Sequence, residues 1–99
     1  MTTVSVIIPC YRDAATLARA IRSVEAQTYR QIEIVVVNDC SPETEQIEAC
    51  VAGFPEVRYV RNPVNVGLAA TRNAGVAAAR GVLVAFLDAD DEYHPEKIA

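Results

Sequence analysis

Four carboxylates crowd the end of one apolar run. In VLVAFLDADDEYHP, residues 82–95, six apolar residues lead straight into Asp88, Asp90, Asp91 and Glu92. Like charges at this spacing repel, and burial strengthens the repulsion. Residues i and i+2 of an extended segment point the same way, so Asp88 and Asp90 can face one ligand together. Hard divalent cations such as Mg²⁺ take carboxylate oxygens and keep waters and phosphates as their other ligands. Such a cation would relieve the repulsion. The alternative is a solvated acidic turn capping a following helix, but a place at the carboxyl end of a buried strand favours the metal.

Two more polar clusters follow apolar runs: Pro9-Cys10-Tyr11-Arg12-Asp13 and Asn38-Asp39-Cys40-Ser41. Parallel strands bring such ends to one rim, so Asp39 and the later carboxylates are expected to share a crevice. Arg72 falls between Leu68 and Ala79 on a helical wheel, close to Gly75 and Val76. Its guanidinium either reaches a phosphate or the acidic cluster, or caps a packed stem and ends in water. Tyr11 either packs at a strand end or stacks on a base. His94, beside Pro95, reads as a residue leading into a helix rather than a ligand or base. With a single histidine and scattered cysteines, a nucleophilic triad has no basis.

The elements that must position these residues follow from periodicity. Residues 4–9 (VSVIIP) and 32–37 (IEIVVV) are β-branched runs too short for helices, and read as buried strands. Residues 57–60 form a weaker strand and 82–87 a fourth. Leu17, Ile21 and Val24 recur at helical spacing, with Arg19, Arg22 and Glu25 directed elsewhere. Ser41-Pro42-Glu43 predicts a second helix start, carried on by Ile47, Val51 and Phe54 and stopped at Gly53. Asn62-Pro63 marks a turn, and residues 67–80 (GLAATRNAGVAAAR) read as an Ala-rich helix able to pack closely. The order β-α-β-α-β-α-β predicts an α/β fold, a Rossmann-like, mostly parallel sheet flanked by helices. Residues 95–99 look like the first turn of a further helix, so the chain reads as a fragment.

Composition narrows the functions. The 99 residues are 52% hydrophobic with a net charge of -4, which fits one small domain. No basic stripe occurs, so nucleic acid is not expected as a partner. Cys10, Cys40 and Cys50 form no CxxC pair and read as reduced thiols. No signal peptide is evident, and no apolar run approaches the roughly 20 residues of a membrane span. A cytoplasmic location is expected, with a longer parent at the cytoplasmic face of a membrane as the alternative.

Three segments in order, PCYRDAATLARAIRSVEAQTYRQIEIVVVNDCSPE, NVGLAATRNAGVAAARG and FLDADDEYHPEKI, resemble the family 2 glycosyltransferases of the GT-A fold. The resemblance covers residues 4–98. It implies that residues 1–99 are the nucleotide-sugar-binding part of a glycosyltransferase domain, truncated after the D-x-D. It also implies that Pro9 and Tyr11 line the nucleoside pocket and Asp39 hydrogen-bonds the base. Arg72 matches the arginine of the family's ARN segment near the donor. Asp88 would contact the ribose, and Asp90 would coordinate Mg²⁺ or Mn²⁺ bridging the diphosphate. Family members often carry Asn at Arg12 and typically read Asp-Asp-Gly-Ser where this chain has Asn38-Asp39-Cys40-Ser41. Cys40 in place of Gly costs backbone freedom at that turn.

The expected activity of the parent is inverting, metal-assisted transfer from a nucleoside diphosphate sugar to a hydroxyl of a saccharide, lipid or other acceptor. The family's catalytic base lies beyond the D-x-D, so no residue here is assigned that role. The chain alone is expected to be inactive, and to form a homo-oligomer through an exposed sheet edge or face. A sugar-phosphate nucleotidyltransferase would favour a Gly-rich loop after the first strand, and residues 10–13 contain no Gly. GxGxxG and GxxxxGK[ST] are absent, and a phospho-receiver site would find only Asp13 after the first strand.

Overall fold

A computed structural model describes residues 3–93. His94 and the helical turn expected over 95–99 lie outside the described residues. Seven elements alternate along the chain: β1 (Val4–Cys10), α1 (Ala14–Glu25), β2 (Ile32–Asn38), α2 (Thr44–Ala52), β3 (Arg58–Arg61), α3 (Leu68–Ala78) and β4 (Leu83–Phe86). The strands form one parallel sheet in the order β3-β2-β1-β4. The chain winds outward from β1 to β3, then crosses back and lays β4 on the free side of β1. Strand order therefore reverses between β1 and β4, where open α/β sheets bind their ligands.

β1 is buried at every position. Val6, Ile8 and Cys10 share one layer with Leu17, Ile21 and Val24 of α1 and Ile47 of α2. On the other face Ile7 joins Val35 and Val37, with Ala74 and Ala78 of α3 against them. Both faces are covered, which is why the strand, Ser5 apart, reads as an apolar run. Gly75 lets α3 lie close to the sheet: a Cβ there would come within 2.3 Å of Ile7 Cγ2.

Two expectations need correction. The run at 82–87 has the pattern of a strand covered on both faces, yet β4 lies at the sheet edge. Leu83 is 57% exposed and Phe86 43%, because among the described residues only β1 flanks it. Its start is fixed nonetheless. The Gly81 N–H donates to Ser5 Oγ (2.8 Å), which donates to Glu33 Oε1 (2.7 Å), and the Arg80 N–H donates to the same oxygen (2.8 Å). The second correction concerns α2, which begins at Thr44 rather than just after Ser41. Ser41 Oγ accepts from the Glu43 N–H (2.9 Å) and Ser41 O from the Thr44 N–H (3.1 Å), so residues 41–44 form a turn first. Gly53 ends α2 in right-handed geometry, without using a glycine's freedom.

Candidate functional site

The carboxyl ends of β1, β2 and β4 surround a cavity of ≈ 350 Å³, within the range of small-molecule sites. Pro9 and Tyr11 line it from the end of β1, Asp39 from the end of β2, and Asp88 and Asp90 from the segment after β4. Five of the six residues singled out from sequence thus meet in one place. Arg72 stands outside, in an adjoining depression that Asp88 also borders.

The Asp91 N–H donates to Asp88 O (2.9 Å) and closes residues 88–91 into a turn. Asp88, Asp90 and Asp91 each bring a carboxylate oxygen within 4.8 Å of the others, all exposed. Three charged oxygen donors at this separation fit a hard divalent cation. Arg72 offsets part of the charge: its Nη2 lies 3.4 Å from Asp88 Oδ1 and its guanidinium 5.5 Å from the Phe86 ring centre. Arg72 Nε is buried and has no hydrogen-bond partner among the described residues.

Asp39 is 5% exposed, and its two oxygens already take four donors. Oδ1 accepts from Asn62 Nδ2 (3.0 Å) and the Val66 N–H (2.8 Å). Oδ2 accepts from Asn65 Nδ2 (3.1 Å) and the Gly67 N–H (3.0 Å). Burial by itself raises the pKa of this carboxyl, but the Val66, Asn62 and Gly67 donors outweigh it and hold the value below the ordinary one. Asp39 thus clamps residues 62–67, the loop that walls the cavity and leads into α3.

Sequence reasoning gave Asn65, Gly67 and Thr71 no role, although all three stand in the segment NVGLAATRNAGVAAARG; they line the cavity. Gly67 adopts φ 87°, a conformation that favours glycine, and the glycine itself was the signal available. Cys10 also borders the cavity, with its thiol pushed up to about 12 by burial and by Asp13. Such a thiol is protonated at neutral pH.

The sequence model described as "Glycosyl transferase family 2" matches residues 5–99. The chain belongs to glycosyl transferase family 2. This family 2 chain is 44% identical over 97 residues to the uncharacterized glycosyltransferase alr2836 of Nostoc sp. PCC 7120, covering 96% of itself and 30% of that protein. It is 38% identical over 95 residues to the succinoglycan biosynthesis protein ExoO of Rhizobium meliloti, covering 96% and 27%. Among solved structures, S. aureus TarS 1-349 in complex with UDP superposes with a TM-score of 0.83 at 29% identity, over 97% of this chain and 30% of that one. The architecture is accordingly that of a GT-A glycosyltransferase. The chain spans between 27% and 35% of the first curated relatives it matches.

Within the family 2 frame, the departure at Cys40 has a visible consequence. Cys40 has φ 54°, and among the described residues no other non-glycine has positive φ. A side chain in the left-handed region costs about 1–2 kcal/mol, so the turn after Asp39 is held by its surroundings. The Ser41 N–H donates to Asn38 Oδ1 (3.0 Å), and Asn38 Nδ2 donates to Thr44 Oγ1 (2.9 Å) and the Tyr59 hydroxyl (3.0 Å). Asn38 is fully buried and fixes the start of α2 rather than facing the cavity.

Proposed function

We propose that residues 1–99 form the donor side of a glycosyltransferase that moves a sugar from a nucleoside diphosphate sugar to an acceptor hydroxyl with inversion. The observation that carries this reading is the meeting of Asp88 and Asp90 with Pro9, Tyr11 and Asp39 around one cavity at the sheet's switch point. TarS, which binds UDP and UDP-GlcNAc in its solved complexes, supports a uridine nucleotide as the first ligand to test. In this reading Pro9 and Tyr11 flank the nucleoside, and Asp39 meets the base edge through an oxygen shared with its own loop. Asp88 faces the ribose. Asp90 holds Mg²⁺ or Mn²⁺, with Asp91 as a further oxygen donor. When bound, the cation supplies Lewis-acid stabilisation of charge on the diphosphate. Arg72, paired with Asp88, adds positive charge beside the same anionic region.

The resemblance implies a catalytic base after the D-x-D and no described residue is assigned that role, so residues 1–99 are expected to bind donor without transferring sugar. Calorimetric titration with UDP, GDP and dTDP, with and without Mn²⁺, tests the site. Metal-dependent UDP binding is expected, weakened at least ~tenfold by Asp90→Ala, as loss of a charged ligand implies. Absence of binding by every nucleotide rejects the reading.

No helix among the described residues is long and apolar enough to cross a membrane, and a cytoplasmic site of action is proposed with the activity. A second reading, self-association, is favoured by β4, whose outer edge is unpaired among the described residues and whose Leu83, Val84 and Phe86 are exposed. The isolated chain is expected to sediment as a dimer or larger species; a monomer throughout the micromolar range would contradict it.

A further inference from the structure

The turn that carries the carboxylates is tied to α1 at three successive points. Thr16 Oγ1 donates to Ala89 O (2.8 Å), and Arg19 Nη2 donates to Asp90 O (3.0 Å). Ser23 Oγ accepts from the Tyr93 N–H (2.9 Å). Positions 16, 19 and 23 are spaced three and four apart, which places them along one stripe of the helix. Residues 88–93 run beside that stripe. Ala89 and Asp90 are the two central residues of the 88–91 turn, and it is their carbonyls that the helix holds.

This arrangement opposes a specific force. Three like-charged oxygens within 4.8 Å push the turn toward an open conformation in which they separate. Hydrogen bonds to the two central carbonyls resist the backbone part of that opening, because the turn cannot unfold without rotating the peptide groups that carry those oxygens. Pinned carbonyls therefore hold the Cα positions of Asp88 and Asp90 at the cavity, and leave only side-chain rotation to be ordered when the charge is neutralised. A ligand set held in place before the cation arrives binds it more tightly than one that must be gathered.

We infer that Thr16, Arg19 and Ser23 form a positioning edge on α1 that holds the acidic turn ready for a divalent cation. The inference rests on the proposed metal site. None of the three touches the nucleotide or the metal; they act through the backbone of residues 89–93. Thr16 carries the largest share, since it holds the carbonyl between the two aspartates of the D-x-D.

The quantity that separates positioning from plain stability is the ratio of UDP affinity with Mn²⁺ to UDP affinity in EDTA. A variant that merely loosens the fold lowers both affinities and leaves the ratio alone. Thr16→Val removes the hydroxyl and is expected to lower the ratio roughly tenfold, the low end of the scale of a lost outer-sphere contact. Thr16→Ser keeps the donor and is expected to restore the wild-type ratio. Ser23→Ala, at a half-buried position, is expected to lower the ratio by a smaller factor. A wild-type ratio above one that both Thr16→Val and Ser23→Ala leave unchanged overturns the inference and spares the metal site. A wild-type ratio of one overturns the metal site, and the inference with it.

Discussion

Replacing Asp39 with Asn is expected to lower the stability of the chain by about 3 kcal/mol and its melting temperature by about 15 °C. The carboxylate accepts from Asn62, Asn65, Val66 and Gly67, and two of these donors are backbone N–H groups that cannot turn away. An amide offers one acceptor oxygen and turns its own N–H donors toward groups that are donors themselves. Hydrogen bonds to a charged group contribute about 1.5–3 kcal/mol each, and a buried donor left unpaired costs about 1–3 kcal/mol. Relaxation of residues 62–67 recovers part of this, so the net loss is nearer one such bond than four. The substitution keeps the side chain's size and shape, so lost packing contributes little.

The effect carries a pH signature. The folded-state pKa of Asp39 lies below its ordinary value, so the carboxylate's contribution is present in full above the unfolded pKa of about 4. It is lost as pH falls through the lower folded value. Glu33 is shifted the same way: burial opposes ionisation, but the Arg80 N–H, Ser5 and Arg58 outweigh it. Glu33 is unchanged in the variant and titrates in both proteins. The melting temperatures of wild type and Asp39→Asn should therefore be well separated at pH 7 and converge below about pH 4. A gap of constant size from pH 7 to pH 3 would show that the charge of Asp39 is not what holds the loop.

The contrast between Asp39 and Asp88 shows which parts of the site were legible in the sequence. Asp88 and Asp90 could be read from a two-residue spacing at a strand end, and Asp39 from its place on the same rim. Periodicity and strand direction carry that information without any knowledge of contacts. The donors to Asp39 come from residues 23 to 28 positions away, and the ties from α1 to the acidic turn span 70 to 73. No local pattern encodes such pairings. Nothing in the sequence sets Thr16 and Ser23 apart from other polar positions on an amphipathic helix. The exposure of β4 was illegible for another reason. An apolar run records the burial a strand is suited to, whereas its actual exposure depends on which neighbours are present. Arg72 was left open between two readings, and the contact found is with the acidic cluster: its Nη2 reaches Asp88 while its guanidinium lies over Phe86.

Gly75→Ala is expected to destabilise the chain by about 2 kcal/mol, although alanine is the better helix former. Propensity alone would favour the substitution by about 1 kcal/mol. Against this, the new Cβ would lie 2.3 Å from Ile7 Cγ2, 3.2 Å from Val37 Cγ2 and 3.4 Å from Ile7 Cβ. Ile7, Val35 and Val37 are fully buried and have no free volume to move into. The helix must therefore lift from the sheet, and overpacking of this kind costs about 1–3 kcal/mol beyond any propensity gain. Lifting α3 also moves Arg72, one turn earlier, away from Asp88. Nucleotide affinity should consequently fall as well. A double-mutant cycle isolates the clash. Ile7→Ala removes the nearest methyl and by itself costs about 2–5 kcal/mol. The double variant is expected to be about 1–2 kcal/mol more stable than the sum of the single losses predicts. Strict additivity in urea melts would mean that α3 tolerates a Cβ at this point, and that close approach of helix to sheet is not what sets the distance between Arg72 and Asp88.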